Sequence, residues 1–342
     1  MAQYSARYWA QNAAAIKKSG KQVSPIVKEY FEVETAFEFG YQLYRPDRSW
    51  EEEPNDLEEP VTYLYYASVC GLFDCARELL ETGAEVNAQG GRYGNALQAA
   101  SYGGHEAIVR LLLEKGAEVN AQGGWYGNAL QAASEGGHEA IVRLLLEKGA
   151  EVNAQGGGYG NALYTASEGG HEAIVRLLLE KGAEVNAQGG WYGNALHAAS
   201  EGGHEAIVRL LLEKGAEVNA QGGWYGNALC TASEGGHEAT VRLLLEKGAE
   251  VNAQGGGYGN ALQAASYGGH EAIVRLLLEK GAEVNAQGGW YGNALQAASS
   301  RRHEAIVRLL LEKGAEINVT DDDQSTMGLD SGVYTDYFLS SP

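Results

Sequence analysis

The chain has 342 residues and a formal net charge of −20 at neutral pH. This charge argues against sequence-independent binding to nucleic acid or to acidic membranes, since both are themselves negatively charged. Three cysteines do not make a disulfide framework, and no run of about 18 apolar residues could span a bilayer. No N-terminal apolar run is typical of a signal peptide. We therefore expect an intracellular protein, located in the cytoplasm, with the nucleus as the alternative.

The first 50 residues are not repetitive and are predicted to form three short helices over Tyr4–Lys18, Val23–Phe31 and Val33–Tyr44. We expect residues 1–50 to form a helical cap over the first repeat, with a separate partner-docking domain as the alternative. Residues 51–61 follow, and six of the nine residues from Glu51 to Glu59 are acidic. This segment is predicted to be a solvated loop.

A unit of 33 residues then dominates the sequence. The first clear copy is Val86–Glu118, and residues 62–85 form a degenerate copy, as expected for a terminal unit that has only one neighbour. A fixed period of this length predicts a stacked array, so residues 62–318 are expected to form one elongated domain. The seven near-identical copies begin at Val86, Val119, Val152, Val185, Val218, Val251 and Val284.

Each unit is predicted to contain two helices. Asn95 is a favourable N-cap for a short first helix rich in alanine, which ends at a pair of glycines. A second helix is predicted from about His105 to Lys115, because its apolar residues recur at helical spacing, and Gly116 stops it. A glycine-rich turn leads to the next unit.

The motifs G-H-E-A-I-V-R-L-L-L-E-K-G-A-E-V-N-A and A-L-Q-A-A-S resemble the ankyrin repeat family over about residues 62–318. The resemblance implies an all-α solenoid of 33-residue helix-turn-helix units, joined by β-turn fingers, with the N-terminal helical cap at one end. The family's T-P-L-H helix start is N-A-L-Q at Asn95–Gln98, so its bridging histidine is replaced by glutamine. This variant, preceded by G-G-x-Y-G, resembles the arrays of fungal NACHT or NLR-like immune-type receptors. Residues 1–50 are similar to the linker before those arrays.

The copies differ at few positions, and these lie in the turn and the first helix, while the second helix changes only at Thr240. In the ankyrin family, the turn and first helix line a concave groove that holds partners. The resemblance therefore implies a protein-binding module, whose glutamates and aromatic residues suit a protein or peptide with basic and apolar groups. We expect a monomer without cofactor or metal. The predicted partner-binding residues are Arg92, Tyr102, Trp125, Glu135, Tyr164, Glu168, Trp191, His197, Glu201, Trp224, Cys230, Glu234, Tyr267, Trp290, Arg301 and Arg302.

Other interpretations remain open from the sequence. The variation is also compatible with neutral drift, and the array with a structural spacer whose termini bind partners. The acidic tail, residues 319–342, is predicted to be disordered and contains a candidate docking motif around Tyr337. Cys230 and His197 occupy one slot in adjacent repeats, a conceivable nucleophile and base, but no orienting acid is implied. The repeated G-H histidines are a full repeat apart, too far to share a metal, and are expected to be structural.

Overall fold

A computed structural model of the chain describes residues 61–158 and 160–316. The predicted N-terminal helices, nearly all of the acidic loop and the tail lie outside this part of the chain. Within it, sixteen helices alternate between a first and a second helix of each repeat. The first helices are α1 Tyr63–Val69, α3 Ala96–Tyr102, α5 Ala129–Glu135, α7 Ala162–Glu168, α9 Ala195–Glu201, α11 Ala228–Glu234, α13 Ala261–Gly268 and α15 Ala294–Ser300. The second helices are α2 Phe73–Glu81, α4 Glu106–Glu114, α6 Glu139–Glu147, α8 Glu172–Glu180, α10 Glu205–Glu213, α12 Glu238–Glu246, α14 Glu271–Glu279 and α16 Glu304–Glu312.

Asparagine starts the first helix of each clear copy, as predicted. Asn95 has an extended backbone, and its Oδ1 accepts a hydrogen bond of 2.9 Å from the backbone N–H of Gln98. This bond satisfies one of the N–H groups that a helix start leaves unpaired. Thr62 makes the equivalent bond to Tyr65 in the degenerate copy, at 3.1 Å.

The second helices are amphipathic. In α4, Ile108, Val109, Leu111 and Leu112 are buried, whereas Arg110 pairs with the glutamate four residues earlier on the solvent side. The helix ends before Gly116, whose φ of 90° is the left-handed conformation that favours glycine. One apolar cluster runs from the first described repeat to the last, so the array has a continuous core.

Two kinds of side chain fasten each repeat to its neighbour. The Nε2 of His138 lies 2.8 Å from the backbone carbonyl of Tyr102, the last residue of the preceding first helix. The equivalent histidines of the other six repeats contact the carbonyl 36 residues earlier in the same way, which gives them the structural role predicted for them. Asn120 accepts a hydrogen bond from the backbone N–H of Glu151 and donates to the carbonyl of Gly149. These contacts link each repeat directly to its neighbour.

The turns between repeats are narrow fingers. The strands β1, Gln188–Gly189, and β2, Gly193–Asn194, pair antiparallel in one of them. Five other fingers each contain a single bridge between strand-like residues. Among the described residues, no helix is long and apolar enough to cross a membrane.

Candidate partner-binding surface

Two sets of variable residues form one surface, which we call the variable surface. It consists of the turn-tip residues (92, 125, 158, 191, 224, 257 and 290) and the residues at the end of each first helix (102, 135, 168, 201, 234, 267 and 300), together with Arg301 and Arg302. The fingers place the first set and the first helices place the second. The second helices, with their fixed sequence, supply the packing behind it.

Four tryptophans project from the turn tips. The exposed fractions are 43% for Trp125, 44% for Trp191, 54% for Trp224 and 53% for Trp290. The backbones of Trp125, Trp224 and Trp290 make hydrogen bonds across repeats; for example, the N–H of Trp290 donates to the carbonyl of Gly257 at 2.7 Å. Large indole rings are therefore held in solvent on an ordered backbone.

Two of the turn tips carry glycine instead of tryptophan, and the structure shows what fills the space. A side chain at Gly257 would overlap the ring of Trp290, which leans back over this glycine and lies 6.1 Å from Trp224 between ring centroids. At Gly158 the fit is looser, with the indole nitrogen of Trp191 at 3.9 Å from the position of an added Cβ. Gly257 thus allows two tryptophans, two repeats apart, to meet.

Stacked tyrosines run beside the tryptophans. Tyr225 in the G-x-Y-G motif stacks on Tyr192 and on Tyr258, with centroid distances of 5.6 and 5.5 Å. Two variable residues insert between such tyrosines: Tyr102, between Tyr93 and Tyr126, and Tyr267, between Tyr258 and Tyr291. Comparison of the seven copies with one another did not identify the G-x-Y-G tyrosines as surface residues, because these tyrosines do not vary. Their presence in every copy was the signal that could have identified them.

Glutamates occupy the middle of the variable surface. Burial raises the pKa of Glu135 to about 7, and burial together with the neighbouring carboxylates of Glu135 and Glu201 raises the pKa of Glu168 to about 8. Burial also raises the pKa of Glu201 and of Glu234. The Oε2 atom of Glu168 is buried without a hydrogen-bond partner among the described residues. These carboxylates are close to aromatic rings, since the hydroxyl of Tyr258 donates to Glu234 Oε1 at 3.5 Å.

Arginines lie on aromatic rings towards both ends of the surface. The guanidinium carbon of Arg92 is 5.6 Å from the ring centroid of Trp125, and that of Arg301 is 4.3 Å from the ring centroid of Tyr267. Arg301 also donates to the hydroxyl of Tyr267. Arg302 is exposed and has a φ of 61°, because it replaces the second glycine of the G-G turn. Of the three arginines predicted to bind a partner, Arg92 and Arg301 therefore stack on rings of the variable surface, and Arg302 is exposed to solvent.

Three predicted partner-binding residues are not on this surface. Tyr164, His197 and Cys230 are each 0% exposed, because their position faces the next repeat instead of solvent. The hydroxyl of Tyr164 accepts a hydrogen bond from the N–H of Tyr192, and the two ring nitrogens of His197 lie 2.8 and 3.0 Å from the carbonyls of Tyr192 and Ala220. The expectation that these three contact a partner is corrected accordingly.

Glutamine performs the bridging role where the family's histidine is replaced. The Nε2 of Gln98 donates to the carbonyls of Gly123 and Gly127, at 3.0 and 2.9 Å. Gln131 and Gln263 make equivalent bonds in their repeats. The hydrogen bonds between repeats therefore survive the change from T-P-L-H to N-A-L-Q.

The same geometry speaks against a nucleophile pair. Burial raises the pKa of the Cys230 thiol to about 12 and lowers the pKa of His197. Both ring nitrogens of His197 are already engaged by backbone carbonyls. A buried, protonated thiol and an imidazole with both nitrogens engaged are poorly suited to nucleophilic catalysis. No group of three or more metal-ligating side chains occurs in the described ranges.

Comparisons with known proteins agree with this architecture. The family model described as Ankyrin repeats (3 copies) matches residues 41–123, 64–156, 98–189, 156–222, 187–255 and 256–321. The chain is 40% identical over 123 residues to the Azaphilone pigments biosynthesis cluster protein L of Monascus ruber, which covers 32% of this chain but only 26% of that protein. It is also similar to the crystal structure of the human ASB11 ankyrin repeat domain, with a TM-score of 0.58 and 26% identity, covering 65% of this chain and 99% of that one.

Proposed function

Because the chain belongs to the ankyrin repeat family, whose repeats are protein-interaction modules, we propose that its variable surface binds a protein or peptide partner. The observation that carries this proposal is the set of four half-exposed tryptophans on an ordered backbone. Exposed tryptophan is enriched among the residues that dominate binding energy, where loss of one side chain can cost about 2 kcal/mol or more. By its resemblance to the ankyrin family, in which the turn and first helix line the concave groove, the variable surface corresponds to the groove side of the array.

The charge of the surface supports a partner with basic and apolar groups. Glu168 lies between two other carboxylates, and burial raises its pKa, so its ionised form lacks compensation in the free chain. A cationic side chain placed there would favour the ionised form. The indole and tyrosine rings beside the glutamates supply the apolar contact.

The role in the cell is proposed on the motif resemblance alone. The N-A-L-Q helix start and the G-G-x-Y-G turn support an intracellular role as the recognition region of a fungal immune-type sensor. In that role the array acts as a monomer, and each repeat contributes one turn tip and one first-helix end to the bound partner.

A peptide-display experiment tests the proposal. A library of random peptides is selected on the chain, and bound peptides are compared with those retained by a variant in which the four turn-tip tryptophans are glycine. Glycine is a matched replacement, since Gly158 and Gly257 already occupy this position in the same array. We expect peptides that bind the natural chain and lose at least about tenfold in affinity on the variant, about 1.4 kcal/mol.

A stability measurement accompanies the selection. Changing only Trp191 and Trp224 to glycine should weaken the selected peptides by the same order without lowering the melting temperature. Equal affinity for the natural chain and the variants would contradict the proposal and favour the alternative of a structural spacer, in which the termini bind partners. Deleting one internal repeat separates these cases further, since a spacer tolerates the deletion and a surface with a fixed register does not.

A further inference from the structure

The chain's own arginines show which cation this surface accepts. Arg92 lies over Trp125, and Arg301 lies over Tyr267 and donates to its hydroxyl. In each case a planar guanidinium faces an aromatic ring of the variable surface. Stacking on aromatic rings distinguishes arginine from lysine. These two contacts are intramolecular examples of how an arginine of a partner can bind.

The repeats between Arg92 and Arg301 also carry aromatic rings, but their own arginines lie on the second helices. The second-helix arginines form ion pairs with glutamates on their own helices, as Arg176 does with Glu172 at 2.8 Å. Meanwhile, Glu168 and Glu201 end neighbouring first helices, and burial together with the nearby carboxylates of Glu135 and Glu201 raises the pKa of Glu168. Tyrosines lie against this row, as the bond from Tyr258 to Glu234 shows. The middle of the surface thus combines aromatic side chains with carboxylates, and the Oε2 atoms of Glu135 and Glu168 have no hydrogen-bond partner among the described residues.

The general spacing of packed helices favours one conformation of the partner. Neighbouring first helices pack against one another, and packed helices lie about 8–10 Å apart. A polyproline II segment has three residues per turn and advances about 9 Å in that turn, so every third side chain points the same way at this interval. In a β-strand, side chains on one face recur at about 7 Å and lose register within a few repeats. Polyproline II segments also dock in aromatic-lined grooves.

We propose that the variable surface recognises an arginine-containing polyproline II segment, with one arginine for each of the repeats that carry Glu135, Glu168, Glu201 and Glu234. Each guanidinium lies on an aromatic ring and pairs with the carboxylate of its repeat, while the residues between the arginines pack on the tyrosines and tryptophans. This inference rests on the proposed binding function and specifies the partner's chemistry.

The test uses a fluorescent twelve-residue peptide of four Pro-Pro-Arg triplets, titrated with the full chain and followed by anisotropy. We expect saturable binding that weakens as salt is added. A peptide of the same composition with irregularly spaced arginines should bind at least about tenfold more weakly, and one of Pro-Pro-Lys triplets several-fold more weakly. Equal binding of the regular and irregular peptides would overturn the proposed register, and absence of binding by the regular peptide would overturn the proposal as a whole.

Matched variants locate the peptide on the chain. Glu168→Gln with Glu201→Gln should weaken the regular peptide by about tenfold or more. The control, Glu180→Gln with Glu213→Gln, makes the same two substitutions at exposed ends of second helices and should leave its affinity within about twofold, since surface charges of this kind contribute little. Equal losses in both variants would indicate binding to net charge alone and would contradict the proposal.

The display selection described above separates this inference from the binding function itself. Selected peptides that depend on the tryptophans but carry no recurring arginine would overturn the inference and leave the binding function in place. If no peptide in either experiment depended on the variable surface, both proposals would fail.

Discussion

The indole ring of Trp290 occupies the space directly over Gly257, where any side chain would overlap it. In this half of the array, the glycine and the tryptophan at the same position of neighbouring repeats therefore depend on each other for space. The glycine of one repeat gives room to the tryptophan of the next, which reaches Trp224 at 6.1 Å between ring centroids.

Substitution of this glycine should separate the two rings. We expect Gly257→Ala to displace Trp290 and to remove the near-ultraviolet circular dichroism that arises from its coupling to Trp224. Because the ring is about half exposed, the free energy of unfolding should change by no more than about 0.5 kcal/mol. Gly158→Ala is the matched control, since the added Cβ would lie at an ordinary 3.9 Å from Trp191. Identical spectra for Gly257→Ala and the natural chain would contradict this arrangement.

The bridging role of glutamine at the repeat position of Cys230 can be tested by exchanging residues between copies. Replacing Cys230-Thr231 by Gln-Ala copies the sequence of repeats in which glutamine bonds to the following turn. We expect the free energy of unfolding to rise by about 1 kcal/mol and the melting temperature by about 2–4 °C. The reverse exchange at Gln131-Ala132 removes the bonds to Gly156 and Gly160 and should lower both quantities. Thermal denaturation of the two variants decides, and a shift of the same sign in both would refute the bridging role.

The raised pKa of Glu168 predicts how stability depends on pH. The folded chain holds this proton up to a pKa of about 8, against an ordinary value of 4.5. Between these values the unfolded chain binds fewer protons, so the contribution of this group is complete below about pH 4.5 and is lost as the pH rises towards 8. Glu168→Gln mimics the protonated form, and we expect it to be more stable than the natural chain by on the order of 2 kcal/mol at pH 9 and nearly equal at pH 4.

Denaturant titrations at the two pH values measure this difference. Glu180→Gln, the same substitution at an exposed position, is the matched control. A constant difference between Glu168→Gln and the natural chain at both pH values would show that the carboxyl is not perturbed by its surroundings.

The thiol of Cys230 should be unreactive in the folded chain. It is 0% exposed, and burial raises its pKa to about 12, so the thiolate fraction at pH 8 is about one in ten thousand. We expect iodoacetamide to label Cys230 at least about a hundredfold more slowly in the folded than in the unfolded chain. Mass spectrometry of the peptide that contains Cys230 measures both rates. Rapid labelling of the folded chain would reopen the possibility of a reactive cysteine.

The 33-residue period predicted the fold closely because each repeat packs against its neighbours in the same way. The second helix was predicted from about His105 to Lys115 and extends over Glu106–Glu114, with those two residues as its caps. The Asn95 cap was predicted as well, because the residues that make these features are local. Helix bounds and caps that depend on residues close together in the chain can be predicted from a single sequence.

Contacts between repeats were harder to predict. Cys230 and His197 vary between copies, which suggested a surface, but every residue of the first helix except the last is buried in their repeats. The residue at this position can vary because side chains of different kinds fit the buried site; Tyr164 occupies the same position in another repeat and is also buried. The stacked tyrosines were missed for the opposite reason, since Tyr225 and its counterparts do not vary and yet lie beside the variable residues. Only three-dimensional packing distinguishes these cases.

The histidine contacts between repeats have a consequence for how such a chain can change over generations. His171 binds the main-chain carbonyl of Glu135, and His138 binds that of Tyr102, so the contact is indifferent to which side chain the preceding repeat presents. A 33-residue block inserted into the gene or lost from it therefore meets a compatible neighbour on both sides. Copy number becomes an inheritable variable of its own, and the length of the binding surface can follow the length of its partner without any new point mutation.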